Sequence, residues 1–143
     1  MSQDLHGYYI QDISVGMSAS YAKTVTDADI MLFAGISGDD NPVHINEEFA
    51  AETPFKGRIA HGMLSAAFVS TVLGTRLPGP GCIYVSQKLK FKAPVRSGDT
   101  VTATATVTDV NVEKRRVTLD TVCTVKGKTV LEGEATLMVD SRP

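Results

Sequence analysis

From residue 83 onward, apolar and polar positions alternate with a period of two. Ile83, Val85, Gln87, Leu89 and Phe91 alternate with Tyr84, Ser86, Lys88, Lys90 and Lys92. This predicts a strand, and "SGD" at 97–99 marks a turn after it. Val101, Ala103, Ala105 and Val107 then share one face and Thr102, Thr104, Thr106 and Thr108 the other. Val117, Leu119, Thr121, Cys123 and Val125 repeat the pattern, "VKGK" reads as a hairpin turn, and 129–139 reads as the last strand.

The first half carries a different period. Residues 1–15 read as a tail settling onto the body, and "SASYAKTV" (18–25) alternates weakly, as a first strand. Thr26 is placed to cap a helix, with Asp27 and Asp29 in the first turn where the helix dipole favours negative charge. Ile30, Phe33, Ala34 and Ser37 follow helical spacing, and Gly38 is a natural stop. Asn41–Pro42 predicts a turn, "EEFAAE" a second short helix and "PFKGRIA" a loop. From His61, "HGMLSAAFVSTVLGTRL" predicts a helix apolar or small on nearly every side, hence a buried one, ended sharply by "LPGPG". A helical half followed by long antiparallel strands is an α+β architecture. A sheet wrapped around the one buried helix, in a single domain over 1–143, covers both economically.

Composition narrows the partners. The 143 residues are 43% hydrophobic and 21% charged, with a formal net charge of −2, ordinary for a globular domain. No basic block is present, so nucleic acid is not an expected partner. No apolar run approaches membrane-spanning length, and the N-terminus lacks the pattern of a signal peptide. Cys82 and Cys123 sit in strand-like apolar surroundings and match neither a metal spacing nor a disulfide framework. The expectation is a cytosolic protein with two buried thiols.

The candidate chemistry lies in "SGDDNPVHINEEFA", residues 37–50. His44 can take or give a proton near neutral pH. Asp39 lies five residues earlier, and a turn at Asn41–Pro42 folds the chain so that the two side chains can converge and divide acid and base roles. Asp40 would then diverge; either aspartate can equally be an ordinary Asx-turn residue. His61–Gly62 adds a second element. At the start of a helix the first backbone N–H groups lack an intrahelical partner and favour developing negative charge on a carbonyl oxygen. No Gly-x-Ser-x-Gly elbow appears, and three histidines with no metal-like spacing argue against a metal site.

With these residues in view, "SGDDNPVHINEEFA", "FKGRIAHGML" and "GPGCIYVSQKLKFKAPVRSGDTV" together resemble the MaoC-like hydratases. The likeness is greatest to the short (R)-specific enoyl-CoA hydratases of the polyhydroxyalkanoate-supply type, and covers nearly the whole chain. The family's Asp-x-Asn-Pro-x-His signature falls on Asp39, Asn41, Pro42 and His44, which makes Asp39 rather than Asp40 the matching acid. The resemblance implies a hot-dog fold acting as a homodimer. It implies a water held by Asp39 and His44, a thioester oxygen bound by the Gly62 N–H, and Asn41 and Ser70 as substrate-binding positions. Asn46 departs from the aspartate that many relatives carry there. No cofactor is implied beyond the coenzyme A of the acyl-CoA substrate.

The chemistry agrees with this. Hydrating a 2-enoyl thioester needs a base for water at C3, a proton for C2 and a donor to the thioester oxygen. An acyl chain running from Gly62 along the helix would pass Ser70 and Leu73, one turn apart, and Leu137 could close the far end after a few carbons. Lys56, Arg58, Lys88, Lys90, Lys92 and Arg96 are candidates to grip the coenzyme. A thioesterase, an acyl-carrier-protein dehydratase and a non-catalytic acyl-thioester-binding module are the competing readings.

Overall fold

The computed structural model of the protein describes residues 3–143. Five strands, β1 (Ser18–Thr24), β2 (Ile83–Phe91), β3 (Thr100–Asn111), β4 (Arg116–Val125) and β5 (Lys128–Met138), form one antiparallel sheet in the order β1-β3-β4-β5-β2. Four helices, α1 (Asp27–Ser37), α2 (Pro42–Ile45), α3 (Glu47–Ala51) and α4 (Gly62–Thr75), lie between β1 and β2. The architecture is α+β, with α4 on the inner face of the sheet.

The period-two pattern translates directly into burial. Val101, Ala103, Ala105 and Val107 of β3 are buried, as are Val117, Leu119, Thr121 and Cys123 of β4. On the outer face of β1 and β3, hydroxyls pair across the strands: Ser18 with Thr106 at 3.1 Å, Ser20 with Thr104 at 2.9 Å and Thr24 with Thr100 at 2.7 Å.

Helix α1 starts and stops where the sequence predicts. The Thr26 hydroxyl accepts from the Asp29 N–H at 3.1 Å, and the Asp29 carboxylate accepts from the Thr26 N–H at 2.9 Å. Lys23, 2.8 Å from Asp29, holds that carboxyl below its usual range. Gly38 ends the helix at φ +79°, a left-handed conformation with no steric cost for glycine.

Two expectations need correction. Asn41–Pro42 opens a short helix rather than a turn: Asn41 Oδ1 accepts from the Val43 N–H at 3.1 Å, and Pro42 occupies the first position, where a missing N–H costs nothing. Helix α4 is buried on one side only. Leu64, Ser65, Phe68, Val69, Val72 and Leu73 face the sheet, while Met63, Ala67, Ser70 and Gly74 are exposed. The reason is placement: α4 lies chiefly over β3 and β1 and less over β4 and β5. Its other flank is therefore open, beside an edge strand β2 whose Ile83, Tyr84, Val85 and Phe91 are also exposed.

The N-terminal segment is tied down, as the sequence predicts, although residues 1 and 2 lie outside the described residues. Gly7 and Tyr8 donate to the carbonyls of Pro80 and Pro78, Ile10 donates to Asp140, and the Ile10 side chain is fully buried. His6 stacks on Tyr9 at 4.1 Å and bonds Asp140 at 3.1 Å. Its hydrogen bond to the Gly7 carbonyl, and then that to Asp140, raise its pKa above the ordinary value. A raised folded-state pKa gives stability that is fully present below the unfolded pKa of about 6.5 and lost as pH rises through the folded value. His6→Ala should therefore lower the melting temperature more at pH 5.5 than at pH 8.5. Equal losses at the two pH values would contradict this.

Candidate active site

The site is assembled where the loop after α1, the start of α2 and the start of α4 meet. The loop turns on Asp39 itself, whose Oδ1 accepts from the Asn41 N–H at 3.3 Å while its own N–H donates to Ser37 Oγ at 3.1 Å. Asp39 thus makes the Asx-turn and still presents a carboxylate oxygen to the histidines. Asp40 is exposed and outside their cluster.

Helix α2 carries His44 inward, leaving it 8% exposed. Segment 59–60 runs beside it, held by Ile59 N–H to the Val43 carbonyl at 3.2 Å and Ala60 N–H to the Val95 carbonyl at 2.7 Å. His44 Nδ1 lies 2.9 Å from the Ile59 carbonyl. A carbonyl can only accept, so Nδ1 carries the hydrogen, and Nε2 of the neutral ring is left as a proton acceptor.

His61, 2% exposed, stacks on His44 with ring centroids 3.8 Å apart and donates from Nε2 to the Asp39 main-chain carbonyl at 2.8 Å. Sequence reasoning valued His61 only as the residue before Gly62; its contacts with His44 and Asp39 connect segments 17 and 22 residues apart, which no local pattern reveals. Asp39, His44 and His61 each place one potential ligand atom within 4.8 Å of the others. The spacing of the histidines along the chain did not announce this cluster. It is poorly suited to a cation, because imidazole lone pairs lie in the ring planes. Rings stacked in near-parallel planes send those lone pairs out side by side, not to one ion about 2 Å from both.

Beside His61 opens a cavity of about 490 Å³. His61, Gly62, Met63 and Ser65 form one wall, Phe91 to Val95 another, and Val130 with Leu131 the sheet side; Phe55, Ile59 and Ala60 complete it. Gly62 begins α4, and its cap residue His61 makes no side-chain hydrogen bond to the first amides. A Cβ at Gly62 would lie 2.6 Å from the Phe91 ring, so glycine is what lets the helix start and the end of β2 meet here.

The other predicted site residues fall as follows. Asn41 caps α2 and Asn46 caps α3, accepting from the Phe49 N–H at 3.0 Å. Asparagine and aspartate cap equally well, so the departure at 46 keeps the loop intact. Ser70 is on the exposed flank of α4 and is not a cavity wall; Ser65, one turn and a residue earlier, is the buried serine that lines it. Leu73 and Leu137 are fully buried core residues and not walls of the cavity; Phe91, Val130 and Leu131 occupy that role in the single chain.

Among the basic residues, Lys92 borders the cavity and lies 3.7 Å from Glu132. Arg58 is engaged by Asp27 at 2.9 Å and Glu47 at 3.4 Å, and Arg96 donates to the carbonyls of Phe55 and Arg58. These two, with Lys56, line a second hollow of about 270 Å³. Burial pushes the Cys123 thiol up to about 12 and raises that of Cys82, so neither is a nucleophile near neutral pH.

An antiparallel sheet holding a central helix defines a hot-dog protein, and Asp39 and His44 meet beside the start of that helix. The chain belongs to the MaoC-like family: the model described as "MaoC like domain" matches residues 11–133. It is 64% identical over 141 residues to an (R)-specific enoyl-CoA hydratase of Rhodospirillum rubrum, covering 99% of this chain and 98% of that one. It is 46% identical over 142 residues to a 3-hydroxybutyryl-CoA dehydratase of Methylorubrum extorquens, covering 99% and 90%. The (R)-hydratase from A. caviae involved in PHA biosynthesis superposes with a TM-score of 0.87 at 42% identity, over 90% of this chain and 98% of that one. No helix among the described residues is long and apolar enough to cross a membrane.

Proposed function

We propose that the protein is an (R)-specific enoyl-CoA hydratase, adding water across the double bond of a trans-2-enoyl-CoA to give an (R)-3-hydroxyacyl-CoA. The observation that carries this reading is the meeting of Asp39 and His44, whose Nδ1 is engaged by the Ile59 carbonyl, beside the uncapped start of α4. The Asp39 carboxylate orients the water, and His44 Nε2 takes its proton as oxygen bonds to C3. The π pair of C2=C3 shifts to C1–C2 and the carbonyl π pair to the thioester oxygen, where the Gly62 N–H stabilises the enolate charge; the proton held by His44 is then delivered to C2, restoring the carbonyl and completing the addition. One such donor is typically worth about 3 kcal/mol in the transition state. The reverse reaction is the dehydration named for the Methylorubrum extorquens relative.

Crotonyl-CoA tests the reading directly. Enoyl absorbance should fall with no release of free thiol, and the product should be the (R) isomer. Thiol release would point to a thioesterase, and no turnover to a binding module.

The active form is a homodimer in this proposal. The exposed flank of α4, which includes Ser70, and the unpaired edge of β2 are apolar surfaces that a two-fold partner would cover. Light scattering should give twice the chain mass at micromolar concentration; a stable monomer would contradict it.

Coenzyme A is held partly by Lys92 at the cavity, with Lys56 the next candidate. Arg58 and Arg96 are engaged in loop contacts, and Lys88 and Lys90 flank the half-buried Leu89 along β2, away from the cavity lining. Lys92→Ala should raise KM for crotonyl-CoA several-fold with kcat nearly unchanged, and added salt should do the same to the wild type. A KM independent of both would remove these residues from coenzyme binding.

A further inference from the structure

We infer that His61 is a positioning residue for the reaction. It holds Asp39 through the main chain and His44 through its ring face, while its own backbone leads into Gly62. One side chain then fixes the acid–base pair relative to the oxyanion donor. The inference rests on the hydratase reading of the same site.

A histidine at this position makes poor sense as a cap or as filling. The cap position of a helix favours Ser, Thr, Asp or Asn, whose side chains bond the first amides. His61 makes no such bond to α4, and a short polar side chain there would occupy the amides that the thioester oxygen needs. As filling, it carries a liability: Nδ1 is buried with no hydrogen-bond partner among the described residues, a desolvation cost that a phenylalanine would not incur. Phenylalanine could also stack on His44 and meet Phe33, whose ring lies 4.9 Å from His61. What phenylalanine cannot supply is the Nε2–H donated to the Asp39 carbonyl at 2.8 Å. That bond joins the segment before α4 to the loop whose next turn presents the Asp39 carboxylate. It is the one contact that explains why an imidazole stands here.

Three variants separate the roles. A glutamine amide reaches about where Nε2 lies, an asparagine amide only about as far as Nδ1, and phenylalanine keeps the stacking without the donor. His61→Phe should lower kcat for crotonyl-CoA hydration by ~30-fold or more with KM within ~3-fold, as expected for misplaced rather than missing groups. His61→Asn, which loses the donor and also caps the first amides of α4, should lower kcat at least as far. His61→Gln should recover to within ~5-fold of the wild type. The amide resonance of Asp40, which shares a peptide unit with the Asp39 carbonyl, should shift in the Phe and Asn variants and return toward its wild-type position in the Gln variant. A folded Phe variant with kcat within ~3-fold of the wild type would overturn the inference, as would a Gln variant no better than Asn in both rate and resonance. Wild-type turnover is measured alongside. If the wild type does not hydrate crotonyl-CoA, the hydratase reading fails, and the Asp40 resonance alone decides whether His61 holds the loop.

Discussion

Asp39→Asn and His44→Asn should each lower kcat for crotonyl-CoA by ~100-fold or more while the protein stays folded, and Asp40→Asn should be nearly silent. The substitutions are chosen to spare local structure. An asparagine at 39 still offers an oxygen to the Asn41 N–H, so the Asx-turn survives while the carboxylate charge is lost. An asparagine at 44 places its amide near the former Nδ1, where it can still donate to the Ile59 carbonyl 2.9 Å away. What it lacks is any group at Nε2. Asp40 is exposed, and only its backbone N–H, bonded to the Gly38 carbonyl at 3.1 Å, is committed locally. Steady-state rates with matched melting curves check all three. A damaging Asp40→Asn beside a mild Asp39→Asn would show that the other aspartate serves the site.

Gly133→Ala should be the most destabilising of the conservative changes, lowering stability by roughly 3 kcal/mol or more through overpacking against backbone. Gly133 sits in β5 opposite Leu89 of β2 and Thr121 of β4. A Cβ there would lie 1.8 Å from the Lys88 carbonyl oxygen, a main-chain atom that cannot swing aside. The missing side chain also lets Gln87 cross from β2 over β5, where its amide donates to the Lys88 carbonyl at 2.8 Å and to the Thr121 hydroxyl at 2.9 Å. Thr121 is fully buried, so displacing Gln87 strands its hydroxyl, adding ~1–3 kcal/mol. At 2–4 °C per kcal/mol for a chain of about this size, the melting temperature should fall by roughly 10 °C. Because β2 ends in Phe91 at the cavity, KM should rise as well. Gly35→Ala is the control: nothing lies within 4 Å of its added Cβ, and alanine in a helix interior is worth about 0.5–1 kcal/mol over glycine. A Gly133→Ala protein melting with the wild type would refute the strand-crossing argument.

Local physics made much of this protein legible in its sequence. Thr26, Asp29 and Gly38 mark the ends of α1 because caps and left-handed stops are satisfied by residues next to them. Alternation along β3 and β4 identifies their inner faces because the pleat has the same period of two. Asp39 and His44 offered a candidate acid–base pair because they stand only five positions apart, and family likeness singled out Asp39.

Only the tertiary structure decided the rest. The sequence makes α4 apolar on nearly every side, but which flank is covered depends on α4 lying over β1 and β3; hence Ser65, not Ser70, lines the cavity of the single chain, and Leu73 and Leu137 are core. His61 joins Asp39 and His44 across 22 and 17 residues, and Gln87 reaches Thr121 across 34, through contacts that no window of chain contains. Residue type and spacing determine elements and faces, since those depend on neighbours along the backbone. Which faces meet, and which side chains share a site, depends on packing between distant segments.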